Sequence, residues 1–102
     1  MQKIYISGPI TGVDPDVCRA AFGAAEKDLK KQGFVPVNPL NNGLPDTATY
    51  DEHMTRDLEM LSECQGIYML DGWERSKGCK IEFNFAIAHR IPIAFEAEKE
   101  SR

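Results

Sequence analysis

The sequence lacks three features that would point to particular classes of protein. Its apolar runs are too short to span a bilayer, its N-terminus has no signal-peptide pattern, and its basic residues form no cluster beyond Lys30-Lys31. With a net charge of −4 and a pI of about 5.1, the chain offers no basic surface for a nucleic-acid polymer or an anionic membrane. We therefore expect a cytoplasmic protein without nucleic-acid or membrane partners.

Cysteine and histidine are also scarce. Cys18, Cys64 and Cys79 are widely spaced and form no CxxC pair, which favours reduced thiols over disulfides. The two histidines, His53 and His89, have no neighbours at metal-ligand spacing. We therefore expect no metal and no other cofactor. A reactive thiol at Cys79, near the start of a predicted helix, remains an alternative.

The composition is that of an ordinary domain, and strands alternate with helices along it. The chain has 102 residues, of which 42% are hydrophobic and 27% charged, so we expect one domain over residues 1–102 with a polar tail at 96–102. The predicted elements are, in order, strand Lys3–Ser7, helix Asp16–Gln32, strand Phe34–Val37, helix Tyr50–Cys64, strand Ile67–Leu70, helix Cys79–Arg90 and strand Ile93–Phe95.

This alternation predicts a flavodoxin-like (Rossmann-like) fold, a three-layer α/β/α arrangement around a parallel sheet of about four strands. Pro36 lacks an amide donor and places the second strand at an edge, which favours the order 2-1-3-4. Strands 1 and 3 are then neighbours, so the loops Gly8–Gly12 and Asp71–Gly78 should form the walls of one crevice. The long loop Asn38–Thr49 is expected to be a lid or a binding loop.

Glu82 is the first candidate functional residue. It falls in the apolar stripe of the last predicted helix, on the face that also carries Gly78, Ile81 and Phe85. Burying a carboxylate costs desolvation, which a raised pKa or a specific partner must offset. Its position after a strand and a loop is where open parallel sheets place their chemistry. Glu82 is therefore a candidate nucleophile or base.

Asp57 is a second carboxylate in an apolar stripe. It lies between Met54 and Leu58 on the helix before strand 3, and two such acids suggest paired acid-base or nucleophilic chemistry. The alternative for either acid is a place at the edge of its helix, with a capping role or an ion pair to Arg56 or Lys77.

Other side chains are expected around the crevice, each with an alternative. Tyr5 should end near its floor, or be a core aromatic residue. Gly8 and Gly12 permit positive φ and close approach to a ligand. Trp73 is suited to stacking on a base or to covering a dimer contact, and Ser76 to binding phosphate or capping a helix. The residues expected to bind substrate are Gly8, Pro9, Ile10, Asn38, Asp71, Trp73 and Ser76.

Three segments carry a family resemblance. The strings YISGPITG at 5–12, Asp57-Leu58 within a helix, and SKGCKIE at 76–82 followed by Ala86 resemble the nucleoside 2-deoxyribosyltransferase superfamily. The similarity is greatest to its small phage- and bacteria-associated members. The superfamily also holds the 2'-deoxynucleoside 5'-monophosphate N-glycosidases. The resemblance covers nearly the whole chain in order.

The resemblance implies a role for each matching residue. Glu82 would be the nucleophile that attacks C1' of a deoxynucleoside, and Tyr5 would position it. Asp57 would contact or protonate the departing base. Ser76 stands where the monophosphate hydrolases bind phosphate, and Asp71 would help to hold the base. The implied activity is cleavage or transfer of an N-glycosidic bond in a deoxynucleoside or its monophosphate.

The chain departs from the family pattern at three positions. Pro9 and Thr11 stand where the monophosphate enzymes carry Ser and Arg, which removes a cation suited to a 5'-phosphate. Asn84 replaces a glycine that is usual in the transferases. The sequence ends soon after strand 4, so a homodimer partner or the loop Asn38–Thr49 is expected to supply the missing wall. The alternatives are a non-catalytic nucleotide-binding module and, by fold analogy alone, an NAD-type glycohydrolase.

Overall fold

The computed structural model describes residues 2–96 and contains one parallel sheet of four strands. The strands are β1 (Lys3–Ser7), β2 (Val35–Val37), β3 (Gly66–Met69) and β4 (Ile93–Phe95), in the order β2-β1-β3-β4. The predicted fold class and strand order are confirmed. Pro36 lies on the edge strand, opposite Ile4. Of the predicted polar tail, residues 97–102 lie outside the described part of the chain.

Three helices connect the strands, and local signals in the sequence explain their ends. They are α1 (Pro15–Lys31), α2 (Tyr50–Ser62) and α3 (Lys77–Ala88). The Asp14 carboxylate accepts the N–H groups that begin α1, and Gly33, at a φ of +90°, closes its other end. Thr49 forms a capping box with Glu52 at the start of α2. No helix among residues 2–96 is long and apolar enough to cross a membrane.

Five elements differ from their predicted bounds by one or two residues, and short turns form where loops were predicted. Helix α3 begins at Lys77 rather than Cys79, because the Ser76 hydroxyl accepts the Cys79 N–H and so caps a helix that starts directly after it. Short 3₁₀ turns at Pro39–Asn41 and Trp73–Arg75 lie in segments that were predicted to be loop.

The core lies on both faces of the sheet. Because successive strand residues point to opposite faces, Ile6 packs towards α1 with Phe22 and Leu29, whereas Tyr5 packs towards α2 and α3 with Leu61 and the residues of their buried faces. The helices therefore cover the sheet from both sides, in three layers as predicted. The α2–α3 side also carries both candidate carboxylates, Asp57 and Glu82, since these two residues are buried on those helices.

Close packing at the end of β1 leaves no room for a side chain at residue 8, which is glycine. A Cβ atom added there would lie 2.7 Å from Leu70 Cδ1 and 3.1 Å from Phe22 Cζ. We expect Gly8→Ala to lower the free energy of unfolding by about 1–3 kcal/mol, measured by denaturant titration. Gly23→Ala is the matched control, because Gly23 lies within α1 with open space around it, and there alanine should stabilise by about 0.5–1 kcal/mol. Equal effects at both positions would contradict this account.

Candidate active site

Glu82 lies at the centre of the candidate site, on the second turn of α3. Its side chain is only 5% exposed, and each of its two oxygens accepts a hydrogen bond from β1. The Tyr5 hydroxyl donates to Oε2 at 2.8 Å, and the Ser7 hydroxyl donates to Oε1 at 2.6 Å. The structure thus brings together Tyr5 and Glu82, which are 77 residues apart in the chain.

The geometry of the strand explains this pair of donors. Tyr5 and Ser7 are two residues apart on β1, so both side chains point to the face that α3 covers. Helix α3 follows β3, the strand that pairs with β1, and this places Glu82 above the end of β1. Ser7 was not among the predicted site residues. Its spacing from Tyr5 is the signal that could have identified it.

Burial dominates the electrostatics of Glu82. It raises the pKa of the carboxyl to about 7, and the negative charge of Asp57 adds to the rise. The hydroxyls of Ser7 and Tyr5 act in the opposite direction, because they stabilise the ionised form. A carboxyl with a pKa near neutrality, held by two donors, is suited to act as a nucleophile or base.

Asp57 lies on α2, 6% exposed, and faces the same region. Its Oδ1 accepts a hydrogen bond from Asn42 Nδ2 at 3.0 Å, so its partner comes from the 38–49 loop rather than from Arg56 or Lys77. Burial raises the pKa of Asp57, and the hydrogen bond from Asn42 lowers it. Asn42 was not singled out in the sequence, where it is one of several polar residues in a long loop.

Tyr50 is a third residue that the sequence did not indicate. A Cβ atom on Gly78 would lie 3.3 Å from the Tyr50 hydroxyl, and Lys77 Nζ lies 5.7 Å from the centre of the Tyr50 ring. Burial and the charge of Glu82 both raise the pKa of Tyr50. The first turn of α2 and the first turn of α3 therefore meet beside the candidate carboxylate.

The two loops predicted to form one crevice do meet. A Cβ atom on Gly72 would lie 3.5 Å from Pro9 Cγ. Just before the two loops, the Leu70 N–H donates a hydrogen bond to the Ser7 carbonyl at 2.8 Å. Gly12 has the positive φ that was expected, +81°. The positive φ expected at Gly8 is wrong, because its φ is not in the left-handed region, and Leu70 would crowd a Cβ atom there; substrate binding by Gly8 and Pro9 stays a prediction.

Ile10 and Asn38 line a different hollow. Together with Arg19 and Glu26 of α1 they border an open cavity of about 480 Å³ beside β2. The Asn38 amide donates to Glu26 Oε2 at 3.2 Å and accepts the Leu40 N–H at 2.9 Å. Asn38 therefore has a structural role in joining its loop to α1, and substrate binding by Ile10 and Asn38 stays a prediction.

The remaining predicted residues lie on the β3 side of the crevice. The Trp73 ring stacks on Phe83 at a centroid distance of 4.7 Å and lies 5.9 Å from Phe95, which gives the indole a packing role at the β4 edge. Asp71 is exposed, and Ser76 caps α3. Stacking of Trp73 on a base and binding of substrate by Asp71 or Ser76 stay predictions.

The alternative of a reactive Cys79 is not supported. Its side chain is 2% exposed, and burial raises the pKa of the thiol, an effect that the nearby Ser7 and Ser76 side chains partly offset. Residues 2–96 contain no cluster of three or more His, Cys, Asp or Glu side chains arranged to hold a metal ion. The chemistry that these residues offer is that of carboxylates and hydroxyls.

Comparison with known proteins identifies the family of this chain. A family model, described as domain of unknown function DUF4406, matches residues 2–95. The chain belongs to the DUF4406 family. A search of curated protein sequences finds no match to this DUF4406 chain.

Two solved structures share the fold of this DUF4406 chain. The 2-deoxyribosyltransferase of the psychrotolerant bacterium Bacillus psychrosaccharolyticus superposes with a TM-score of 0.71 at 18% identity, over 97% of this chain and 77% of that one. The 2-deoxyribosyltransferase of Leishmania mexicana superposes with a TM-score of 0.73 at 21% identity, over 93% of this chain and 63% of that one. These matches confirm, at the level of the fold, the predicted resemblance to the nucleoside 2-deoxyribosyltransferase superfamily.

Proposed function

We propose that this protein cleaves or transfers the N-glycosidic bond of a deoxynucleoside or deoxynucleoside monophosphate, with Glu82 as the nucleophile. The observation that carries the proposal is the buried Glu82 carboxylate, whose two oxygens are held by Tyr5 and Ser7 and whose pKa is raised to about 7. A buried carboxylate held in one orientation is costly for folding and useful for attack on a sugar carbon. The shared fold of the deoxyribosyltransferases supports the same reading.

The proposed reaction has two displacements. A Glu82 oxygen forms a bond to C1' of the sugar while the bond from C1' to the base nitrogen breaks, and Asp57 donates a proton to the departing base. Water, or a second base, then attacks C1' and releases Glu82. The proton of the incoming group returns to Asp57, so charge and atoms balance, and two inversions give net retention. The site residues thus supply nucleophile and acid without any cofactor.

Tyr5 and Ser7 fix where the attacking oxygen stands. Each hydroxyl donates to a different oxygen of Glu82, and each oxygen keeps a second lone pair for C1'. The same hydrogen bonds lower the pKa of the carboxyl, which increases the ionised fraction at neutral pH. A 5'-phosphate on the substrate would bind at the start of α3, where Ser76 and Lys77 are the candidate partners.

A non-catalytic nucleotide-binding module is the second candidate. The observation that favours it is the low exposure of Glu82, 5%, in a site where both carboxylate oxygens already have partners. Turnover then requires the crevice to open, or a second subunit to complete it. We propose a homodimer, in which the second subunit completes the crevice.

Release of free base is the direct test. The protein is incubated with deoxynucleosides, deoxynucleoside monophosphates, ribonucleosides and NAD, and base is followed by chromatography, with a second base added to detect transfer. We expect release from one of the two deoxy classes and, when the reaction is quenched, a protein mass increased by the deoxyribosyl group or, for a monophosphate substrate, by the deoxyribosyl 5'-phosphate group. Binding of a nucleotide by calorimetry with no release from any substrate would favour the binding module, and release only from NAD would favour a glycohydrolase.

A further inference from the structure

Asn42, in the 38–49 loop, uses every hydrogen-bonding group of its side chain. The side chain is buried, and its Nδ2 donates both to Asp57 Oδ1 and to His53 Nδ1, each at 3.0 Å. Its Oδ1 accepts the Leu44 N–H at 3.0 Å. Arg56 Nε donates to the Asn42 main-chain carbonyl at 3.2 Å. One residue therefore joins the loop to three side chains of α2.

These contacts determine the orientation of the amide. A backbone N–H from Leu44 can only donate, so the atom facing it is the amide oxygen, and the NH₂ group must face Asp57 and His53. His53 Nδ1 is then an acceptor, which places the ring proton of the neutral imidazole on Nε2. The orientation is thus set by a main-chain donor that cannot reverse its role.

The consequence for Asp57 is that its two oxygens differ. Oδ1 is occupied by the Asn42 amide. Every fully buried side-chain oxygen and nitrogen within residues 2–96 has a hydrogen-bond partner, so Oδ2 of Asp57, which has none there, is in contact with solvent. An N–H donor at Oδ1 stabilises negative charge on that oxygen and so favours protonation of the other one. The proton of a neutral Asp57 carboxyl therefore belongs on Oδ2.

We propose that Asn42 is a positioning residue, which holds Oδ1 of Asp57 so that the accessible Oδ2 carries the proton to the departing base. The inference rests on the proposed function, because it assigns a task to Asp57 as the acid. It also gives the 38–49 loop a role: the loop supplies the group that orients the acid. Asn42 itself touches no substrate in this account.

A comparison of leaving groups tests the proposal. Asn42→Asp keeps the acceptor for the Leu44 N–H but removes the donor, and Asn42→Ala removes both. With a deoxynucleoside whose base needs protonation to depart, kcat should fall by about 10- to 100-fold while KM changes little. With a 4-nitrophenyl deoxyribofuranoside, whose leaving group needs no acid, both variants should stay within about twofold of wild type. Equal losses on the two substrates would reduce Asn42 to a structural residue and overturn the proposal.

The neighbouring Asn41 is the matched control, because it is exposed and, among the hydrogen bonds of residues 2–96, takes part only through its main-chain N–H, which donates to the Asn38 carbonyl. Asn41→Asp and Asn41→Ala should leave both rates unchanged. Asp57→Asn should show the same dependence on the leaving group as Asn42→Asp, and adding Asn42→Asp to it should cause little further loss, since both changes act on one proton.

Nuclear magnetic resonance gives a readout that does not need turnover. In the wild type the His53 ring should carry its proton on Nε2, and in Asn42→Ala this preference should be lost. The pKa of the Asp57 carboxyl should rise in Asn42→Ala, because a donor that stabilises its ionised form has been removed. If base release fails altogether but these shifts appear, the proposed function is wrong and the positioning contact stands. Unchanged tautomer and titration would overturn the contact itself.

Discussion

Replacing Glu82 with glutamine is expected to abolish base release and, at the same time, to stabilise the protein at neutral pH. Glutamine has the same shape and can still bond the Tyr5 and Ser7 hydroxyls, but it cannot form the sugar ester, so we expect a loss of at least about 10³-fold in kcat/KM. The opposite effects on activity and stability arise because a buried carboxylate serves chemistry at the expense of folding.

The sign of the stability effect follows from the pKa of Glu82. Burial raises it from an ordinary 4.5 to about 7, so between these values the folded protein binds more protons than the unfolded chain. The free energy of unfolding of the wild type should therefore fall as pH rises from about 4.5 to 7, by about 3 kcal/mol from this residue. Asp57, whose pKa burial also raises, contributes a slope of the same sign.

Denaturant titrations across this pH range check the prediction. The Glu82→Gln variant should match the wild type near pH 4 and exceed it at pH 7, with only the smaller slope from Asp57 remaining. Glu63→Gln is the matched control, because Glu63 is an exposed glutamate on the surface and should change neither activity nor the slope. A variant that is less stable than the wild type at pH 7 would mean that the ionised carboxylate stabilises the fold, and would contradict the burial argument.

Much of the fold could be predicted because its signals are local. Pro36 identified the edge strand, helical spacing identified α1 to α3, and the order 2-1-3-4 followed from rules of parallel sheets rather than from any long-range contact. Glu82 and Asp57 could be singled out for the same reason, since an acid in an apolar stripe is visible in a short window of sequence.

The parts that could not be predicted depend on contacts between distant segments. The spacing of Ser7 from Tyr5 places the two residues on one face of β1, but it does not show that this face meets Glu82, which is 75 residues from Ser7. Asn42 is one of several Asn, Pro and Gly residues whose sequence indicates a loop but not which side chain turns inward. Trp73 is predicted to stack on a base or to cover a dimer contact because its loop is polar, and that loop does not show its ring contacts with Phe83 and Phe95, which come from α3 and β4.

The pH dependence of turnover should shift when either hydroxyl that bonds Glu82 is removed. Attack on C1' requires the ionised carboxylate, so with the 4-nitrophenyl deoxyribofuranoside, whose leaving group needs no acid, kcat/KM of the wild type should rise with pH through about 7. Ser7→Ala removes a donor that lowers the pKa of Glu82. A hydrogen bond to a charged acceptor contributes about 1.5–3 kcal/mol. The rising part of the pH–rate profile, called here the acidic limb, should therefore lie about one to two pH units higher in Ser7→Ala than in the wild type. Tyr5→Phe should move it in the same direction.

The control for this shift is Tyr68→Phe. Tyr68 lies on β3 but packs on the α1 face of the sheet, so removal of its hydroxyl should leave the limb in place. At a pH well above the acidic limb, Ser7→Ala should regain much of the wild-type rate on the same 4-nitrophenyl substrate, because the ionised nucleophile is then fully populated and no acid is needed, whereas a damaged fold would lower the rate at every pH. A limb that stays at the wild-type position in both Ser7→Ala and Tyr5→Phe would show that Glu82 is not the titrating group that controls the reaction.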